Sequence, residues 1–289
     1  MESAAVDFVI RGEGEVSLHL LAEAVAKNGV YDSIPGLVFR SENGNLRINP
    51  PAVMKHPDEH PLPAAALLQQ RFYRRNQRAA MVIVAGRGCP LTCSYCSVGA
   101  SSYLNYRKRS VMSVIDEIQA NVNQHGVGFI DFEDENLSLD RRWFLKLLAE
   151  IKRRFSTNKL ELRAMNGLYP PSLDEEVIHA MKAAGFKTLN LSLGSTSAEQ
   201  LKRFDRSDVR AAFERALILA ANCGLNAVGY VICAAPFQSA QDSISDLLSL
   251  SRFFILAYRS PRPLFGLIPN LVKMALCFSK TSSKNTDTT

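Results

Sequence analysis

The chain has 289 residues, is 47% apolar and carries a formal net charge of +6, which is enough apolar content for a real core and too little charge for a disordered polyelectrolyte. The basic excess is scattered over Arg71/Arg74/Arg75/Arg78, Arg107/Lys108/Arg109 and Lys152/Arg153/Arg154, so these clusters read as solvated faces and nucleic acid is not the expected partner. The opening MESAAVDFVIRGEGE has acidic residues where a signal peptide needs basic ones, and LFGLIPNLVKMALCF holds a proline and a lysine and is too short to span a bilayer; the expectation is a soluble, cytoplasmic chain with no membrane partner.

In chain order, VDFVIRGEGE predicts a strand running into a turn, VSLHLLAEAVAKNG a helix, and GLVFRSENGNLRINP a hairpin on Asn43-Gly44. PPAVMKHPDEHPLP is a proline-rich linker. A single strand and helix are not expected to bury a core of their own. From about residue 79 strands and helices alternate. AAMVIVAG is a buried strand; SVMSVIDEIQANVNQHG is a helix from Ser110 to Gly126; VGFIDFED is a strand; and Asp140 caps the helix DRRWFLKLLAEIKRRF. LELRAMNGL is a strand, SLDEEVIHAMKAAG a helix with a Ser172–Glu175 capping box and Gly185 at its end, and KTLNLSLGS a strand. SAEQLKRF and SDVRAAFERALILAANCG are helical, LNAVGYVICAAP is a strand, and Ser239 with Asp242 caps a last helix. Five strand–helix units predict an α/β fold with a parallel sheet. Polar residues at strand C-termini (Asp134, Asn166, Ser192) favour a partial (β/α)6 TIM-like barrel over a doubly wound sheet.

Residues 86–99, GRGCPLTCSYCSVG, carry Cys89, Cys93 and Cys96 at spacing C-x3-C-x2-C where the first barrel strand ends. In a reducing cytosol six cysteines are not a disulfide framework. Zinc would want a fourth ligand from a second cysteine pair or paired histidines, and a Cys93–Cys96 redox pair leaves Cys89 unexplained. Three thiolates in one loop suit a cubane iron–sulfur cluster with one open iron, which is the favoured reading. Cys223 and Cys233 read as core residues.

GCPLTCSYC resembles the signature of the radical S-adenosylmethionine superfamily, with Tyr95 before the third cysteine. The resemblance, over about residues 79–253, implies a [4Fe-4S] cluster on the three cysteines. It also implies S-adenosyl-L-methionine at the open iron and an electron from a donor such as flavodoxin or ferredoxin. It places Asp134 and Glu135 of FEDENLSLD at the methionine amino group, although both would equally suit an acidic cap for the next helix. Ser192 or Ser195 falls at the ribose and Arg206 at the carboxylate, or Arg206 on a helix surface. VDFVIRGEGE, IPGLVFRSENGNLRINPP and YRKRSVMSVIDEIQ further resemble cobalamin-dependent members of the superfamily. In those, a D-x-H-x-x-G loop presents a histidine to cobalt. Here Asp58-Glu59-His60 has Pro63 in the glycine's place and sits in the linker, so cobalamin is expected to bind weakly or not at all.

The expected organisation is a remnant of the cobalamin domain with linker (1–60), the radical barrel (75–255) and an irregular tail (256–289), in a truncated chain whose first strand has an unpaired edge. The expected function is reductive cleavage of S-adenosylmethionine to modify an unknown small molecule or peptide, by methylation, other transfer or an oxidoreductive ring closure. The alternatives are an inactive cluster-binding fragment and, more weakly, an RNA methylthiotransferase.

Overall fold

The computed structural model describes residues 5–69, 72–75, 77–98, 105–155 and 159–259. The first strand, β1 (Phe8–Ile10), passes through Gly12 at φ +92° into helix α1 (Gly14–Ala26). The hairpin β2 (Leu37–Arg40) and β3 (Leu46–Ile48) turns at Gly44, as expected. The first strand lies antiparallel on β2, with Phe8 opposite Phe39 and Ile10 opposite Leu37, and as the outer strand of the order β1-β2-β3 it keeps one edge without a strand partner among the described residues. One expectation is corrected here. The segment buries a small core, since the hairpin completes a three-stranded sheet over Leu21 and Ile34, with Tyr31 edge-on to Phe8 and Phe39.

The main body begins with β4 (Arg74–Arg75) folded antiparallel on β5 (Arg78–Ile83). A short antiparallel ladder, β6 (Gly86–Arg87) with β7 (Arg107–Lys108), then closes the cysteine loop at its base. The order continues α2 (Val111–His125), β8 (Val127–Phe132), α3 (Arg141–Arg154), β9 (Glu161–Ala164), α4 (Glu175–Ala184), β10 (Thr188–Gly194), α5 (Ala198–Arg203), α6 (Arg210–Asn222), β11 (Asn226–Val231) and α7 (Ala240–Tyr258). Parallel ladders join β5 to β8, β8 to β9 and β10 to β11. The parallel bridges Leu162–Phe186 and Leu168–Leu191 link β9 to β10, so five strands follow one another in a single direction. A sixth strand and a closed barrel are absent among the described residues. The tail from residue 260 and Cys277 lie outside them, and α7 runs to Tyr258, three residues past the expected boundary.

Side-chain alternation positions the site. Ile83, Ile130, Phe132, Leu162, Leu189 and Leu191 join Ile115, Leu147, Met181 and Phe213 of the helices in one buried cluster. The intervening residues Asp131, Arg163 and Asn190 are polar, the pattern of a sheet covered by helices on one face and doing polar work on the other. Ser110, Asp140 and Ser239 cap their helices as expected, the last in a full capping box with Asp242. The Ser172–Glu175 box is corrected. Asp174 caps α4 by accepting from the Val177 N–H, because Pro170–Ser172 forms a separate 3-10 turn. Asp58, of the linker Asp-x-His, accepts from the Ser110 N–H.

The reading of Arg107, Lys108 and Arg109 as a solvated basic face is also corrected. Each is largely buried: Arg107 bonds Glu13 and the Met54 carbonyl, Lys108 bonds Asp134, and Arg109 bonds Glu117 and the Val84 carbonyl. They tie the N-terminal segment, the cysteine loop and α2 to the sheet. No helix of the described residues is long and apolar enough to cross a membrane.

Gly126 and Gly185 both end helices at positive φ, +61° and +113°, but a Cβ at Gly126 meets nothing whereas one at Gly185 would stand 2.6 Å from the Leu160 carbonyl oxygen. Gly126→Ala should therefore cost about 1–2 kcal/mol, the left-handed strain alone. Gly185→Ala should cost distinctly more, read from urea midpoints at unchanged m.

Candidate functional site

The cysteine loop starts where β5 and β6 end and is held from two sides. On the sheet side, the Asp134 carboxylate at the end of β8 accepts from the Ala85 N–H (2.9 Å) and from Lys108 Nζ (3.1 Å). Lys108 also donates to the carbonyls of Asn136 (3.4 Å) and Leu137 (3.3 Å), and its ammonium lies 4.7 Å from the Trp143 ring centre and 5.3 Å from that of Tyr106. Burial pushes the Asp134 carboxyl up and the Lys108 ammonium down from their ordinary values, against the pull of each on the other. The Lys108 stem runs against Gly86, where a Cβ would stand 2.6 Å from Lys108 Cδ, so only glycine admits it.

On the helix side, the Ser94 N–H donates to the Phe204 carbonyl (2.9 Å), Ser94 Oγ to the Arg203 carbonyl (2.8 Å) and Thr92 Oγ1 to Asp205. Tyr95 packs edge-on to Phe204 with ring centres 5.0 Å apart, and burial pushes its phenol up.

Between these supports lies a cavity of about 190 Å3 lined by Cys89, Cys93 and Cys96. Four of the residues anticipated from sequence share its wall: Tyr95, Glu135, Ser192 and Arg206. Arg206 organises this wall. It donates through Nη1 to Tyr95 Oη (2.9 Å) and Cys93 Sγ (3.8 Å), and through Nη2 to Ser192 O (3.0 Å) and Oγ (3.1 Å), while its buried Nε has no partner. It is therefore not a helix-surface residue.

Asp134 and Ser195 do not join them. Asp134 spends its carboxylate on Ala85 and Lys108, and Ser195, fully buried, donates to Asp246 (2.8 Å). Asn136, Gly167 and Tyr169 line the cavity without having been singled out, and Asn166 stands there at the strand end where it was noticed. Asn136 follows directly on the acidic pair, and the run FEDEN was its signal. Gly167 has φ +90°, and a Cβ there would stand 3.3 Å from Ser192 Cβ and 3.4 Å from the Tyr230 ring, tighter than an ordinary contact. Larger openings lie elsewhere. One of about 410 Å3 between the linker and β5 includes His60 and Met54 but no cysteine.

The five described cysteines are all free. Cys223 is buried in the core as expected, and Cys233 is only half-buried. The three loop thiols do not already converge, since no metal-ligating set of three His, Cys, Asp or Glu side chains stands among the described residues. Their chemistry fits a cluster all the same: three soft donors, and no histidine among the described residues, line one cavity, with Cys93 buried and Cys89 and Cys96 half-exposed.

The Lys108–Asp134 pair yields a stability test. Lys108→Met or Asp134→Leu alone should cost about 3–5 kcal/mol, because each strands a buried charge. The double variant should recover a clear part of the summed loss in urea unfolding, giving a non-additive cycle.

Against curated proteins, the chain is 28% identical over 242 residues to an uncharacterized methyltransferase of Pyrococcus horikoshii, covering 83% of this chain and 52% of that one. It is 29% identical over 207 residues to the anaerobic magnesium-protoporphyrin IX monomethyl ester cyclase of Cereibacter sphaeroides, covering 70% of this chain and 33% of the cyclase. The chain thus spans about half the length, or less, of these relatives. Among solved structures, the radical S-adenosylmethionine methyltransferase TsrM of Kitasatospora setae, with tryptophan and a cofactor analogue bound, superposes with a TM-score of 0.70 at 22% identity over 86% of this chain and 50% of TsrM, a likeness of fold. The same protein has been solved with cobalamin and a [4Fe-4S] cluster. The profile of the radical SAM superfamily matches residues 83–247, more than half of the chain and all of the cysteine-loop supports, and the chain belongs to that superfamily.

Proposed function

We propose that this chain is the core of a radical S-adenosylmethionine enzyme in which Cys89, Cys93 and Cys96 hold a [4Fe-4S] cluster and the surrounding wall holds S-adenosyl-L-methionine. One observation carries the reading: three free thiols and, among the described residues, no other Cys or His line a single cavity that also presents Arg206, Ser192 and Glu135. Cys89, Cys93 and Cys96 would hold the cluster, which would supply the one-electron reduction that cleaves the sulfonium of S-adenosylmethionine, the electron coming from the donor protein.

The chain's own residues bind and orient. Arg206, fixed by Tyr95 and Ser192, offers a carboxylate the positive charge of its guanidinium on the cavity wall. Glu135 offers an amino group a carboxylate, and Ser192 offers a ribose its hydroxyl. Asp134, with both oxygens engaged, acts as a brace for the loop, and Ser195 as a brace for the segment before α5. Tyr169 and Leu91 add apolar surface to the cavity wall.

The five parallel strands are read as part of a (β/α)6 barrel open toward this cavity. Methyl or other group transfer is the favoured class of modification, since relatives of the chain include a methyltransferase and a hopanoid C-3 methylase. The cyclase likeness favours oxidoreductive ring closure as the second reading. The setting is the cytoplasm, with a small flavodoxin or ferredoxin as electron donor.

Anaerobic reconstitution tests this. About four irons per chain should be taken up, the cubane count. Cys93→Ala should abolish uptake, and Cys223→Ala, which alters only a buried core thiol, should not. Dithionite-reduced protein should then release 5′-deoxyadenosine from S-adenosylmethionine. Stoichiometric zinc without iron would refute the cluster, and a loaded protein that neither binds nor cleaves the cofactor would leave the inactive cluster-binding reading.

A further inference from the structure

The carboxamide of Asn136 is placed as if for a sulfur ligand. The residue is 4% exposed, lines the cysteine cavity, and brings Nδ2 to 3.9 Å from Cys89 Sγ, while its buried Oδ1 has no partner. A thiolate only accepts hydrogen bonds, so the amide must face it with nitrogen. Nothing in the side chain's packing explains a buried amide left half satisfied, since such groups are ordinarily paired.

The backbone of Asn136 is not free to move away. Its carbonyl accepts from Lys108 Nζ and Tyr106 Oη, both at 3.4 Å, and Lys108 is itself fixed by Asp134 and the Leu137 carbonyl. The residue thus stands at the end of a buried network that starts at the strand end below the loop.

We propose, on the reading given above, that Asn136 donates an N–H···S bond to Cys89 and thereby makes the cluster easier to reduce, with Lys108 as the residue that positions it. Reduction adds negative charge that is shared with the ligating sulfurs. An N–H dipole aimed at one sulfur stabilises the reduced form more than the oxidised one, and low local dielectric strengthens the effect. Arg206 makes the matching contact to Cys93 at 3.8 Å, so two of the three thiols have a side-chain donor, one cationic and one neutral.

The test is a dye-mediated reductive titration of the reconstituted protein, followed by the electron paramagnetic resonance of the reduced cluster. At the potential where the unsubstituted protein is half reduced, Asn136→Leu should show a reduced-to-oxidised ratio about tenfold lower, a midpoint about 59 mV more negative. Asn136→Asp, which sets a carboxylate beside the thiolate, should fall further. Asn136→Ser, which keeps a donor, should recover part of the loss. Iron content should be unchanged in the Asn136 variants, and Lys108→Met, read on the fraction that keeps its iron, should shift the midpoint the same way by less. Asn136→Leu and Asn136→Asp that keep their iron and the original midpoint overturn the inference. So does loss of iron in all the Asn136 variants, which would make the residue a structural support. Failure of the unsubstituted protein to take up iron is a different result and refutes the cluster itself.

Discussion

The site depends on one buried ion pair. Lys108 and Asp134 are 9% and 2% exposed at their side chains, and between them they hold three chain segments together: the end of β5 through Ala85, the return of the cysteine loop through Lys108, and the end of β8 through Asp134. A loop as long as residues 88–106 would sample many shapes if only its ends were joined. The β6–β7 ladder and this pair fix its base, and Phe204, Arg203 and Asp205 fix its crest. Two aromatic rings over the ammonium keep water from competing for it.

The same supports explain the chemistry of the cavity. Arg206 comes from the turn after α5, Ser192 from β10, Asn136 and Glu135 from the turn after β8, and the thiols from the loop after β5. All but Arg206 stand at or just past the C-terminal ends of parallel strands, the one edge of such a sheet where side chains from distant parts of the chain meet without a partner strand to satisfy them, and Arg206 reaches that edge from the turn after α5. The donors are then unequally shared. Arg206 spends four contacts on neighbours and keeps Nε unpartnered, and Asn136 keeps Oδ1 unpartnered. Unpaired buried polar atoms are costly, and two of those among the described residues belong to Arg206 and Asn136 of this cavity wall.

The N-terminal segment is joined to this body chiefly by charge. Glu13 is nearly buried between Arg87 and Arg107, its carboxyl held below the usual range by Arg107 and the Met54 N–H against the opposing effect of burial. The arginines that contact it flank the cysteine loop at the β6–β7 ladder. The small sheet is therefore not an independent appendage: its attachment and the base of the loop share the same two side chains.

Much of this was legible in the sequence, and the rest was not, for physical reasons. Strand–helix alternation, the caps at Ser110, Asp140 and Ser239 and the stops at Gly126 and Gly185 follow from periodicity and backbone geometry within a dozen residues. The cysteine spacing likewise states its own chemistry, because three soft donors within eight residues have few other uses. Partner choice is different, because a charged side chain in sequence carries no record of what it faces. Arg107-Lys108-Arg109 has the composition of a solvated face and becomes the internal clamp only because β7 folds back onto β6 beneath α2. Asp134 and Glu135 are adjacent and alike, yet in the turn after β8 Asp134 bonds Ala85 and Lys108 to brace the loop while Glu135 lines the cavity. Ser192 and Ser195 divide in the same way, one reaching Arg206 and the other Asp246. The sequence by itself determined the elements, their order and the three thiols; only the tertiary structure decided which polar residues face the cavity and which hold it, because that choice is made by strand register and by contacts between residues as far apart as Cys93 and Arg206.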